Sequence, residues 1–297
     1  MSPREIDPRA VLSSLGYGDV KALEPVLGGW ETSLWRFETP DGQRHALRVY
    51  PGPEHAGSAR KEEAALRACM SAGVPVPALE TTGQWEGRPL LVIGWCAGTT
   101  LLAAMLRRPW SVWRAGFSFG RLQARVHRVP SPPALREGAP HYWLLRGALR
   151  QPEVFVRMQD MSLSTDSLIH LDYHPLNVLT DGGRFTGVID WSGAAAGDPR
   201  ADFARTAALL LTASSPPGPT RPIVGAFRRL FYLAWRRGYA SEAGPMGDLA
   251  PFMAWAGATR LQDLEGVRDS PQAWASEADF VAARRWVDHW KRRAGIP

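Results

Sequence analysis

An α+β architecture is predicted by three features of the sequence. Residues 1–94 alternate apolar and polar positions in strand-like runs around a single strong helix, whereas 99–297 read as mostly helical. One sheet-like island, LIHLDYHPLNVLTDGGRFTGVIDWSG (Leu168–Gly193), interrupts the helical part. The length of 297 residues suits one large domain or two modest ones around a cleft. The division that follows is 1–94, a linker at 95–98, and 99–297.

Along the chain, Pro8–Leu15 reads as a short helix. The run VLGGWETSLWRFETPDGQRHALRVY reads as three strands, with Gly28 and Gly29 marking one turn and Pro40–Gly42 the next. SARKEEAALRACMSAG reads as a helix with Ser58 as N-cap and Gly73 as its stop. RPLLVIGW follows as a buried strand, broken by CAG. The segments 130–140 and 214–222 are Pro-rich and predict surface connections between helices. IVGAFRRLFYLAWRRG predicts a helix whose apolar face is Ile223, Val224, Phe227, Leu230, Phe231 and Trp235, closed by Gly238.

Composition excludes several classes. No run of about 18 apolar residues predicts a membrane span. The first residues, MSPREIDPRAVLSSLGYG, lack the apolar centre of a secretion signal, so a cytoplasmic location is expected. Cys69 and Cys96 sit in separate apolar contexts and read as small hydrophobes. The net charge is +6, but the positive residues are mostly scattered arginines without a basic block or a recognition motif. A nucleic-acid partner is therefore not expected. No G-x4-G-K-[ST] occurs, which excludes a P-loop nucleotidase.

The chemistry concentrates in the island. Asp181-Gly182-Gly183 predicts a hairpin turn, which brings the far ends of its strands, Asn177 and Asp190, together. Asp172 lies one short loop earlier, so two carboxylates and an amide converge. Oxygen ligands of this type suit Mg²⁺, and a carboxylate left off the metal can take a hydroxyl proton. In the first part, GGWETS could aim backbone N–H groups at an anion. Alternation in RHALRVY puts Ala46, Arg48 and Tyr50 on one face and His45, Leu47 and Val49 on the other. Glu62 shares a helix stripe with Leu66 and Cys69 and so points inward, where Arg48 is its expected partner; Glu63 pairs with Arg67.

Taken together, HLDYHPLNVL, GVIDW, GDPRAD, GGWETSLWRF, EEAALRACMSAGVPVP and WCAGTTL resemble the aminoglycoside phosphotransferase and choline kinase branch of the protein-kinase-like fold. The resemblance runs in order to about residue 211. It implies a two-lobed fold: an N-terminal nucleotide-binding lobe with an antiparallel sheet and one main helix, a hinge, and a mostly helical C-terminal lobe for catalysis and substrate. It implies a kinase that moves the γ-phosphate of ATP (or GTP) to a hydroxyl of a small substrate. The alternative is a catalytically silent nucleotide-binding or regulatory relative of the same fold. By the resemblance, Asp172 is the catalytic base, and Asn177 and Asp190 are the Mg²⁺ ligands. Gly29, Thr32 and Ser33 cover the phosphates, Ala46 touches the adenine, and Arg48, held by Glu62, reaches the α- and β-phosphates. Ile93 to Trp95 form the hinge that reads the purine edge, and His170 braces the loop. Asp198 and Asp202 are anchoring acids or face a cationic substrate. Asp248, Asp263 and Glu265, with Phe252 and Trp255, are the C-lobe candidates for receiving such a substrate. Two positions depart from the pattern: Arg48 stands where lysine is usual, and Leu171 where glycine is common.

Overall fold

A computed structural model of the chain describes residues 6–26, 32–137, 141–148, 150–213, 221–268 and 275–297. The expected phosphate turn, with Gly28 and Gly29, lies outside the described residues.

Helix α1 (Pro8–Ser14) starts on an Asp7 cap and precedes the strands β1 (Leu23–Pro25), β2 (Ser33–Glu38) and β3 (Arg44–Val49). Helix α2 (Ala56–Ser71) follows, then β4 (Leu79–Trp85) and β5 (Arg88–Gly94). The five strands form one antiparallel sheet in the order β1-β2-β3-β5-β4. The alternation in β3 partitions the core as its sequence requires. Leu47 and Val49 pack with Val11, Leu12, Phe37, Leu90 and Val92 under α1. Ala46 and Tyr50 face the other way and join Ala65, Leu66 and Cys69 of α2. Two details differ from expectation. Helix α2 begins at Ala56, so Ser58 lies inside it and caps nothing; the preceding 3-10 turn at Pro53–His55 carries the chain into the helix. Gly73 does stop it, at φ 67°.

Beyond the linker, β6 (Thr99–Thr100) leads to α3 (Leu101–Arg107), α4 (Val112–His127), α5 (Pro133–Arg136) and α6 (Pro152–Gln159). The short α5, with Leu135 buried, makes 130–140 more than a surface connection. Strands β7 (Ser167–Ile169), β8 (Val178–Asp181), β9 (Arg184–Val188) and β10 (Ala195–Gly197) form two small sheets, β6-β8-β9 and β10-β7. The turn between β8 and β9 uses Gly182 and Gly183, both at positive φ, as a two-residue hairpin of this hand demands. Gly98 is also obligatory: a Cβ there would stand 2.1 Å from the Thr180 carbonyl.

The remaining helices are α7 (Pro199–Thr212), α8 (Arg221–Ala243), α9 (Leu249–Arg268) and α10 (Glu277–Ala294). Helix α8 continues through Gly238, which is a contact residue and not a cap. A Cβ on Gly238 would meet the Phe117 carbonyl at 1.9 Å, and one on Gly120 the Trp235 carbonyl at 2.1 Å. The backbones of α4 and α8 therefore cross almost in contact. This crossing turns Phe231, Trp235 and Tyr239 inward and leaves Ile223 and Leu230 exposed, unlike the face expected for them. Trp143, Trp191, Trp235 and Trp255 are fully buried. No helix among the described residues is long and apolar enough to cross a membrane.

Candidate active site

The site lies where β3, α2 and the β8–β9 hairpin meet. Arg48 leaves β3 on the α2 side and spends its guanidinium on three partners. Its Nη1 donates to Glu62 Oε1 (2.7 Å), its Nη2 to Asp190 Oδ1 (2.9 Å) and its Nε to Thr32 Oγ1 (3.1 Å). Glu62 is buried, and its second oxygen accepts from the Tyr50 hydroxyl. Burial raises the Glu62 carboxyl, opposed by the charge of Arg48 and the hydroxyl of Tyr50. Burial likewise raises the Tyr50 phenol, which stays protonated and donating.

The loop between β7 and β8 carries the second group of residues. His170 donates from Nε2 to the Ile189 carbonyl (3.0 Å) and accepts the Asp172 N–H on Nδ1 (3.2 Å). The ring thus ties the Asp172 loop to the end of β9, fixing its own tautomer. Asn177 closes the loop by donating from Nδ2 to the backbone oxygen of Asp172 (3.0 Å) and to its carboxylate Oδ2 (2.9 Å). The Asn177 carbonyl accepts the Ile189 N–H (2.9 Å), one residue before Asp190. His174 Nε2 stands 3.3 Å from Asp172 Oδ2. Burial pushes the Asp172 carboxyl up, but the hydrogen bond and charge of His174, with Arg205 and His170, outweigh it and hold it at about 2. The carboxylate is ionised at neutral pH, and 39 % of its side chain is exposed.

Two backbone positions carry strain. Leu171 and Asp190 both have φ of 65°, a region where side chains with a Cβ are uncommon. Leu171 is held there from α7. Its N–H donates to Asp202 Oδ1 (2.6 Å), and its carbonyl accepts from Arg205 Nε (3.2 Å). Its side chain is 1 % exposed, so the residue found in place of glycine is accommodated by burial in the C-lobe core. Asp202 in turn pairs with His127 (2.8 Å), whose other nitrogen meets Tyr239 (2.8 Å).

Asp198 caps α7 through the Arg200 N–H and bridges Arg200. With 3 % and 0 % exposure, Asp198 and Asp202 are anchors, and neither faces a substrate. The C-lobe acids are also spent. Asp263 bridges Arg205 (2.8 Å) and Arg146 (3.1 Å), and Glu265 pairs with Arg150. Phe252 and Trp255 are core residues. Of that expected receiving surface, Asp248 alone is left exposed.

Ala46 pairs with Ile93 across β3 and β5, and both are buried. Gly94 and Trp95 donate their N–H groups to the Ala78 and Arg44 carbonyls, within the sheet and not to a ligand. Ser33 opens β2, exposed, beside Thr32; Gly29 is outside the described residues. The structure thus brings together Thr32, Arg48, Glu62 and Asp190 as one network, and Asp172 and Asn177 as another, joined through Ile189. Sequence reasoning missed Tyr50 and His174. Both signals were present: Tyr50 shares the face of Ala46 and Arg48, and His174 sits two residues beyond Asp172 in the same loop.

The residues present fit a hard divalent cation. Asn177 turns its Nδ2 toward Asp172, so Oδ1 is the atom that would face a cation, and Asp190 would add a carboxylate that is 41 % exposed at the side chain. An all-oxygen pair with one negative charge leaves room for phosphate oxygens, as Mg²⁺ requires. Among the described residues, no group of three or more His, Cys, Asp or Glu could hold a metal ion. The thiols are not candidates: burial pushes Cys69 up to about 12 and Cys96 up to about 11.

The sequence profile of the phosphotransferase enzyme family matches residues 22–244, well over half of the chain and all of the residues above except Asp248 and those of α9. The chain belongs to this family. Among solved structures, the phosphotransferase is similar to a thermostable mutant of an aminoglycoside phosphotransferase in a ternary complex with AMP-PNP and hygromycin B. That match has 20 % identity, covers 94 % of this chain and 98 % of the other, and has a TM-score of 0.63. It is similar to macrolide 2'-phosphotransferase from Brachybacterium faecium (19 % identity, 95 % and 97 % covered, TM-score 0.55). It is also similar to an amicoumacin kinase in complex with AMP-PNP, Ca²⁺ and Ami (15 % identity, 97 % and 94 % covered, TM-score 0.59). Among curated proteins, none matches the sequence. At these identities the structural matches establish the two-lobed kinase-like fold of this phosphotransferase, with its N-terminal antiparallel sheet and helical C-terminal part.

Proposed function

We propose that this phosphotransferase moves the γ-phosphate of ATP, or of GTP, to a hydroxyl group of a small molecule. The observation that carries this reading is the convergence of an ionised, partly exposed Asp172 with Asn177 and with the Arg48–Glu62–Asp190 network. Similar proteins bound to AMP-PNP support nucleotide use.

In this reading the residues divide the work. Arg48, kept at full charge by Glu62, binds the α- and β-phosphates; Thr32, which takes its Nε, fixes the fork's direction, and Ser33 follows it at the start of β2. Ala46 and Ile93 form an apolar floor for the purine. Because Gly94 and Trp95 spend their N–H groups in the sheet, the purine edge meets their carbonyls and the chain from Cys96 onward. Asn177 and Asp190 would hold Mg²⁺, which supplies charge neutralisation on the phosphate oxygens. Asp172 accepts a hydrogen bond from the acceptor hydroxyl, orients it, and takes its proton as the hydroxyl oxygen bonds to the γ-phosphorus and the bond from that phosphorus to the β,γ-bridging oxygen breaks, releasing the nucleoside diphosphate. A carboxyl held at about 2 is a weak base, which suits a transfer in which positioning outweighs early deprotonation. The silent alternative gains nothing from such an Asp172.

Calorimetric titration of ATP and GTP, with and without Mg²⁺, into wild type and D190A tests the nucleotide site. Metal-dependent binding that D190A loses is the expected result. ADP release on addition of an acceptor, abolished in D172A while nucleotide binding persists, tests the base. A folded wild type that binds neither nucleotide would refute the proposal.

A further inference from the structure

Two arginines, Arg146 and Arg205, converge on Asp263, and Arg205 reaches from there to the loop of Asp172. Arg146 lies beside the loop that follows Asp190: its side chain is 40 % exposed, and a Cβ built on Gly193, in that loop, would stand 3.8 Å from its Nη1. Its backbone is immobilised by α9, since its carbonyl accepts from Trp255 Nε1 (3.0 Å) and Thr259 Oγ1 (3.1 Å). Asp263 then orients the side chain and shares itself with Arg205, whose Nε holds the carbonyl next to Asp172. The link from Arg146 to the loop of the base is therefore two ion pairs and one hydrogen bond long.

Charge is crowded here. Arg205 is 1 % exposed, with its Nε and Nη2 edge used and its Nη1 without a partner among the described residues. Arg260, also buried, has its guanidinium lowered by burial and by the neighbouring Arg205. The nearby acids are committed: Asp263 serves two arginines, and Glu265 serves Arg150. A polycationic acceptor would bring like charge against Arg146, whose own carboxylate partner, Asp263, is already shared with Arg205.

We propose that the acceptor of this phosphotransferase carries an anionic group, a carboxylate or a phosphate, and that Arg146 is the cation that receives it. This rests on the phosphotransfer reading above and gives it a substrate class. Arginine suits the role, because its planar fork binds either anion through two parallel bonds.

The test uses a matched series of hydroxyl compounds: glucuronate, glucose 6-phosphate, glucose and glucosamine. Each is titrated into protein saturated with AMP-PNP and Mg²⁺, and assayed by ADP release with ATP. Wild type is expected to bind an anionic member and to discriminate against glucosamine by at least about tenfold. The two anionic arms separate carboxylate from phosphate recognition. R146Q should raise KM for the anionic member by about tenfold or more with a smaller change in kcat, R146K should recover part of it, and R146E should reverse the preference. Asp263 keeps Arg205 in each variant, so the fold is expected to survive, as a melting curve would show. Preference for glucosamine, anion binding undiminished in R146E, or no anion binding by wild type would each overturn the proposal. Failure of AMP-PNP itself to bind would instead mark failure of the nucleotide reading.

Discussion

Arg48 and Asp190 lie 142 positions apart in the chain and meet at 2.9 Å, with the same guanidinium also bound to Glu62. One side chain thus joins the sheet, the α2 helix and the β8–β9 hairpin. Removing it as R48M strands a buried Glu62 and is expected to lower stability by about 3 kcal/mol. It should also weaken nucleotide binding at least about tenfold. R48K, which keeps the charge but not the fork, should fall between the two in the same titration.

Leu171 offers a test of backbone strain. At most buried positions glycine destabilises more than alanine, by about 1 kcal/mol. At a φ of 65° glycine is relieved of a cost of about 1 kcal/mol that alanine retains. L171G and L171A should therefore lose similar stability, each about 3 kcal/mol from lost burial. Urea denaturation of both variants checks this; L171G clearly the weaker of the two would contradict it.

Asp202 predicts part of the acid response. Burial alone would raise its carboxyl, but the hydrogen bond and charge of His127, with His170 and Gln123, bring it below the ordinary value. A carboxyl lower in the folded than in the unfolded state stabilises the fold above the unfolded value, near 4. That stability is lost as pH falls through the folded value. D202N should lose about 3 kcal/mol at neutral pH and show a shallower fall in stability below about pH 4 than wild type. Melting temperatures measured from pH 7 to pH 3 give both numbers.

The helix crossing predicts opposite signs for three glycines. G120A and G238A would drive a methyl into a facing carbonyl and should cost more than about 2 kcal/mol. Gly225, also in α8, has nothing within 4 Å of its would-be Cβ, so G225A should stabilise by about 0.5–1 kcal/mol. Chemical denaturation of the three variants separates a packing glycine from a merely permissive one.

What the sequence revealed depended on whether a local rule governed it. The β8–β9 hairpin was legible because Asp181-Gly182-Gly183 dictates its turn, and the turn then fixes which residues meet. The inward Glu62 was legible from helix period. Strand β4 was not, because LETTGQW is an edge strand with polar residues on its open face, and its place depends on β5. The end of α8 was misread for a related reason: Gly238 looks like a stop until the approach of α4 gives it another purpose. The acids of α9 had the composition of a cation receptor. Their arginine partners come from residues 146, 150 and 205, up to 117 positions away, which no local pattern discloses.

The shared carboxylate of Asp263 also bears on how such a chain could diversify. Arg146 can be exchanged without leaving Asp263 alone, because Arg205 still holds it. Arg205 cannot be exchanged so freely, since the carbonyl preceding Asp172 depends on it. Selection for a new acceptor thus has one residue it can rewrite at little risk, next to one it must leave alone. Descendants of this chain should differ at position 146 well before they differ at 205.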